Sequence, residues 1–225
     1  MKIEKCKLQN DRLQRRFFLL QFSIFIFQFS LVCLAVLLAA DVCFAGKFNR
    51  VVSVGDVGKP FAELIGVDDK PHSLAEYLDG GKGVVLIFTC NHCPCAAGYE
   101  DRLFTLAREF QPKGIRFVAV NCGLDEADAL PAMKIRAAER KFPFPYLHDP
   151  SQQTGRNYGA RVTPEVFVMR PDRKIVYLGA VDDSWNDPET VHHAYLRDAL
   201  TALVAGKMPE IGEARARGCS IAYDE

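Results

Sequence analysis

GVVLIFTCNHCPCAAGYEDRLFTLAREF, residues 83–110, decides the fold. Gly83 to Phe88 is a continuous apolar run with no polar alternation, the pattern of a strand buried on both faces. Cys90 and Cys93 follow at once, and a helical pattern then runs to about Phe110. A C-x-x-C pair therefore stands between a buried strand and the start of a helix. Two cysteines three apart in a first helical turn can bring their sulfurs within bonding distance. The first thiol is expected to face unsatisfied backbone N–H groups and the positive end of the helix dipole, which favour a thiolate. His92, between the two, adds positive charge when protonated. Cys90 is thus the expected attacking thiol, and Cys93 the resolving thiol that cleaves the mixed disulfide. A static disulfide or half a zinc site uses the same spacing. A βαβ context favours redox use.

That context is present on both sides. Upstream, Pro60 to Val67 reads as a short strand and Asp68 to Lys70 as a turn. Ser73-Leu74-Ala75-Glu76 is a capping box opening a short helix that ends near Gly80-Gly81. Downstream, Ile115 to Val120 is a second buried strand, and Pro131 suits the start of a helix running to about Lys141. Ser151 to Tyr158 reads as a short helix closed by Gly159. Glu165 to Met169 and Lys174 to Leu178 flank a Pro171-Asp172-Arg173 hairpin signal. Asp187-Pro188-Glu189 is expected to start a last helix reaching Val204. The order β-α-β-α-β-β-α predicts an α/β fold with a central mixed sheet flanked by helices. Thr163-Pro164 precedes the Glu165 strand, where proline must sit at the first residue or on an edge. A cis peptide there would present the Thr163 backbone beside the cysteine loop, ready to pair with an extended substrate.

With these residues in place, a family resemblance emerges. The segments IFTCNHCPC, FPYLHDPSQQTGRNYGARVTPEVFVMRPDRKIVYLGAVDD and the terminal GCSI resemble a thioredoxin-like family of redoxin proteins. These are related to the alkyl hydroperoxide reductase/thiol-specific antioxidant group. The likeness covers roughly residues 53–222. It implies a thioredoxin-like fold with an N-terminal hairpin extension and an inserted helix, and a cis bond before Pro164. It also implies thiol–disulfide chemistry. The motif differs from thioredoxin proper, which has Trp before the first cysteine and Gly-Pro between the two. Here Thr89 precedes and Asn91-His92 intervenes. A histidine in this loop is reminiscent of oxidising, disulfide-forming enzymes. Peroxiredoxins, the rivals in the same group, use a Thr three residues before the reactive cysteine and a distant Arg. Cys90 stands three before Cys93, and Pro164 occupies the neighbourhood expected for the Arg.

Other cysteines need separate readings. Cys95 extends the motif to C-x-x-C-x-C, and with Cys90, Cys93 and His92 makes a soft cluster suited to Cu(I) or Zn(II), a carrier reading that stands beside the enzymatic ones. Cys122, at the end of a buried strand, reads as a packed thiol. Cys219 lies in the segment 206–225, read as a C-terminal tail. It is either an inert tail cysteine or, with the tail folded back, an additional redox thiol. His192-His193 read as solvated residues of the last helix, His148-Asp149 as a loop, and Asp182-Asp183 as surface charge. Tyr99 to Arg102 reads as the exposed face of the active-site helix.

Residues 1–45 read as an address. Lys2, Lys5, Lys7, Arg12, Arg15 and Arg16 precede an apolar run over 17–40, and small residues end at Ala45. This order is that of a secretory signal. The run is also long enough for an uncleaved anchor with the domain outside. Both readings place the domain, residues 46–205, in an extracytoplasmic, disulfide-permissive compartment, periplasmic or secreted. Of the chain's 225 residues, 28 are basic and 28 acidic, so no whole-molecule charge draws it to nucleic acid. There is no Gly-rich phosphate loop, and cysteine sulfur suffices for the chemistry, so no cofactor is expected. The expected function is thiol–disulfide exchange on protein substrates with an unidentified redox partner. Thiol peroxidase is the alternative.

Overall fold

A computed structural model describes residues 46–224. The expected signal or anchor lies outside the described residues, among which no helix is long and apolar enough to cross a membrane. In chain order, β1 (Leu64–Gly66) and β2 (Pro71–His72) form a hairpin, and α1 (Leu74–Leu78) follows with the Glu76 carboxylate accepting the Ser73 N–H at 2.7 Å. Then come β3 (Gly83–Thr89), α2 (Pro94–Phe110), β4 (Ile115–Asn121), α3 (Leu130–Arg140), β5 (Tyr146–His148) and α4 (Gln153–Tyr158). The chain continues through β6 (Val162–Thr163), β7 (Glu165–Met169), β8 (Ile175–Gly179), α5 (Tyr195–Val204), β9 (Glu213–Ala214) and β10 (Cys219–Ser220).

Eight strands form one mixed sheet in the order β2-β1-β5-β4-β3-β7-β8-β9. β3 lies inside it, parallel to β4 and antiparallel to β7. Alternate residues of a strand point to opposite faces. Val85 and Ile87 pack with Leu103, Phe104 and Ala107 of α2 and with Leu200 of α5. Val84, Leu86 and Phe88 pack on the other face with Leu74 of α1 and Tyr158 of α4. Both faces of β3 are thus covered, which is why its sequence has no polar alternation. Each large side chain so buried contributes on the order of 1.5–3 kcal/mol. The architecture is thioredoxin-like, with the β1–β2 hairpin as its N-terminal extension.

Several local expectations need correction. Tyr99 and Glu100 are buried rather than on an exposed face. Glu100 accepts from Arg136 and Arg140 of α3, and the Tyr99 hydroxyl donates to the Asp182 carbonyl. Arg102 pairs with Asp182 at 2.6 Å, so Asp182 is not free surface charge. The cause is that α2 is flanked on one side by α3 and on the other by the loop after β8. Asp187 starts only a single 3-10 turn, Pro188–Thr190. Asp183 then takes the N–H groups of His192 and His193, which competes with helical pairing, and α5 begins at Tyr195. The two histidines are exposed, but they precede the helix. His148 ends β5 and Asp149 is buried. The residues read as a tail carry β9, which adds to the sheet edge beside β8, and β10.

Candidate functional site

β3 ends at Thr89, and α2 begins at Pro94, whose missing N–H suits a first helical turn. Cys90 to Cys93 make the turn between them. The turn is held from below by a polar network. The buried Asp128 carboxylate accepts the Asn91 N–H at 2.6 Å and the Asn121 side-chain amide at 3.1 Å, and is bonded to His92 Nδ1. The Tyr146 hydroxyl accepts from Asn121 and donates to Asn91 Oδ1, both at 3.0 Å. Loop geometry here is therefore fixed by β4, β5 and the segment before α3, not by the loop itself.

Thr163 supplies the opposite wall. Its peptide bond to Pro164 is cis. Its hydroxyl is 3.2 Å from Cys90 Sγ, and its carbonyl accepts from Cys93 Sγ at 3.1 Å. Glu165 steadies this turn by accepting the Arg161 and Val162 N–H groups at 2.8 and 3.4 Å, and burial pushes its carboxyl up. Cys219 of β10 lies opposite Thr163 in register, and packs with Cys95 against Cys90, Cys93 and Ala96. Cys90, Cys93, Thr163, Cys95 and Cys219 are thus brought together from three separate parts of the chain.

Two expectations about charge change. Cys93, as the N-cap of α2, takes the Ala96 N–H at 3.3 Å, so the helix terminus favours the second sulfur rather than the first. His92 faces carboxylates, Asp128 in contact and Asp125 at 3.7 Å, rather than Cys90 alone. Cys90 and Cys93 titrate as a unit. The S–H of Cys90 donated to Cys93, aided by Cys219, pulls Cys93 down against its burial. The same bond, then burial, with the Asp128 charge adding to them, pushes Cys90 up. The Thr163 carbonyl favours a proton on Cys93. The first charge of the pair therefore rests on Cys93, and Cys90 gains it when its proton crosses the S–H···S bond.

Access separates them. A cavity of about 130 Å³ opens on Cys90 and is lined also by His92, Cys122, Thr163, Ile221 and Asp224. Cys93 is 1% exposed and does not line it. Cys122 is the packed thiol expected: burial and then the Asp149 carboxylate at 3.6 Å push it up. Among the described residues, the metal-type donor atoms lying within 4.8 Å of one another are those of Cys90, His92 and Asp128. The set expected for a soft metal, with Cys93 and Cys95, is not the one that converges. Asp128 already serves the loop as an acceptor.

Asp128, Asn121 and Tyr146 escaped the sequence reading. The available signal was Asn121, a polar residue ending the apolar run of β4, at the carboxyl end of a strand where α/β sheets place their sites.

A model of the AhpC/TSA family matches residues 54–178, more than half of the chain. The chain belongs to the AhpC/TSA family. As a redoxin of this family it is an oxidoreductase. The AhpC/TSA match takes in Cys90, Cys93 and Thr163-Pro164, and stops before β9 and β10. No functionally curated protein matches the chain. An uncharacterized conserved protein from Geobacillus kaustophilus is 34% identical, with TM-score 0.72, over 78% of this chain and 95% of that one. Peroxidoxin BcpB from Mycobacterium tuberculosis is 20% identical, with TM-score 0.53, over 68% of this chain and 96% of that one. A Chlorobium tepidum protein described as a thiol:disulfide interchange protein DsbE is 22% identical, with TM-score 0.52, over 69% and 97%. The last two show a shared fold.

Proposed function

We propose that this AhpC/TSA-family protein is an extracytoplasmic thiol–disulfide oxidoreductase acting on protein substrates through Cys90 and Cys93. The observation that carries the reading is the paired sulfurs at the strand–helix junction, both against Thr163, with Cys90 alone open to the cavity. Cys90 passes its proton to Cys93 and attacks a substrate disulfide. A Cys90–substrate bond forms, and the other substrate sulfur leaves as a thiolate. Cys93 loses its proton and attacks Cys90, forming Cys90–Cys93 and releasing the reduced substrate. Thr163 positions both sulfurs, Pro164 fixes the turn that presents it, and His92 offsets the Asp128 charge beside Cys90. The basic, apolar and small-residue order of residues 1–45 supports delivery out of the cytoplasm. The test is turnover of a disulfide-bonded protein with a dithiol donor. Acceleration over the donor alone supports the reading, and none at all overturns it.

Among the described residues the cavity at Cys90 is lined by His92, Asp125 and Asp224, a lining that gives a peroxide no cationic guanidinium and favours exchange over a dedicated peroxidase. Stopped-flow oxidation by hydrogen peroxide should accordingly run no faster than for an ordinary thiolate. The shared proton predicts a second result. Alkylation of Cys90 in the reduced protein should reach its plateau below the ~8.5 inflection of a free thiol. A lowered first ionisation keeps the reactive form present above it and loses it only as pH falls through it. A profile rising through ~8.5 contradicts the S–H···S pairing. His92→Ala should leave the Asp128 carboxylate facing Cys90 uncompensated. The Cys90 thiolate, and with it the reduced form, then loses stability. The potential should fall by roughly 30 mV for each ~1.4 kcal/mol lost. An unchanged potential in the variant removes this role from His92.

A further inference from the structure

We propose that Cys219 is a third redox thiol, which takes Cys93 over from Cys90 so that the disulfide passes from the cavity to the C-terminal strand. The inference rests on the Cys90–Cys93 exchange just described, and lies beyond the residues that the family match covers.

Cys219 is not a loose tail residue. β10 pairs antiparallel with β6, with Cys219 opposite Thr163 and Ser220 opposite Val162. The Ile221 N–H donates to the Arg161 carbonyl at 2.9 Å. Beyond it, Gln152 donates to the Ala222 carbonyl at 2.7 Å, and the Tyr223 hydroxyl to the Ala160 carbonyl at 2.7 Å. Before it, Gly218 lies so close to Thr163 that a Cβ would overlap the Thr163 carbonyl. The segment therefore occupies the Thr163 edge as an extended substrate would, and presents a sulfur to the active cysteines.

Its reactivity is conditional. In the reduced protein the hydrogen bond to Cys93, then burial, pushes the Cys219 thiol up to about 11. It is then a donor, not a nucleophile. Once Cys93 is joined to Cys90, its charge is gone, while the Cys95 N–H in the first turn of α2 still favours a Cys219 thiolate. Cys219 loses its proton to water and attacks Cys93 Sγ. The Cys93–Cys219 bond forms, the Cys90–Cys93 bond breaks, and the electron pair leaves on Cys90 as a thiolate. The number of disulfides is unchanged, so no further oxidant is consumed. Cys90 is free again, and the disulfide stands at the half-exposed Cys219, where a reductant reaches it without entering the cavity.

The test is disulfide mapping after one equivalent of diamide. Trypsin cuts after Lys82, Arg102 and Arg217, so Cys219 leaves on the peptide 218–225, and Cys90, Cys93 and Cys95 leave together on 83–102. The expected product is the tail peptide linked to 83–102, in the wild type and in Cys95→Ser alike. Gly218→Val should unseat β10 and slow the link by on the order of tenfold or more, while Cys90–Cys93 still forms. A tail peptide recovered only as free thiol, beside an internally bridged 83–102, overturns the inference and leaves the exchange reading standing. Loss of the link in Cys95→Ser overturns it too, by assigning the bond to Cys95. Absence of both disulfides overturns both readings.

Discussion

Replacing Cys90 by serine should lower turnover of a protein disulfide by on the order of 10³-fold or more, because a hydroxyl cannot supply the attacking thiolate. Cys93→Ser should behave differently. Cys90 still opens on the cavity, so the first attack proceeds, but no sulfur stands one helical turn away to resolve it. The expected product is a stable mixed disulfide between Cys90 and the substrate, seen as an added mass that a reductant removes. Its trapping efficiency is read on a non-reducing gel. A Cys90→Ser protein with undiminished turnover would remove the exchange mechanism altogether. The two variants also separate access from acidity. If acidity alone chose the nucleophile, Cys93, held by the Ala96 N–H, would form the adduct in Cys90→Ser. Burial predicts that it does not.

Asp128→Ala should be the most damaging change that touches no sulfur. It leaves the part-buried Asn91 N–H and the His92 ring without their acceptor, while the buried Asn121 amide keeps the Tyr146 hydroxyl and the residue-128 carbonyl. Orphaned groups cost roughly 1–3 kcal/mol each when buried, and these two are part-buried, so about 2 kcal/mol for the pair is expected. At about 2–4 °C for each kcal/mol, the midpoint of thermal unfolding should drop by about 4–8 °C. The same change removes a negative charge near Cys90, one of the groups that push this thiol up. Cys90 alkylation should therefore extend to lower pH. Asp128→Asn keeps an acceptor for Asn91 but not the charge. It should recover most of the stability while keeping the shift in alkylation. A variant that is fully stable as alanine, or an asparagine variant with the wild-type pH profile, contradicts this account.

The elements with strong local signals were legible. The uninterrupted apolar run of β3 reports burial on both faces, and the structure covers both with helices. C-x-x-C after it, and Thr163-Pro164 before another strand, identify the thioredoxin-like frame. What escaped detection depends on pairing across the chain. β5, β6, β9 and β10 are two or three residues long, too short for any period to register, and exist only because a neighbour offers hydrogen bonds. Asp128 reads as one more acid in an acidic stretch, and nothing local says that it alone turns inward beneath the Asn91-His92 turn. Tyr99 to Arg102 shows the converse failure. Charged residues on a helix suggest a solvated face, but Arg136, Arg140 and Asp182 approach from distant segments and bury the pair Tyr99 and Glu100.

Cys90 and Thr163 are 73 residues apart in the chain, and meet only when β3 has paired with β7. Contacts of such separation must overcome loop-closure entropy before they gain anything, and sheets built on them close slowly. During that interval the reactive sulfurs exist without the wall that selects their partners, and Cys122 is not yet sequestered. Recovery of active protein from denaturant should therefore depend on the order of reagents. Refolding with a reductant present, and adding oxidant only afterwards, should outperform folding under oxidising buffer from the start.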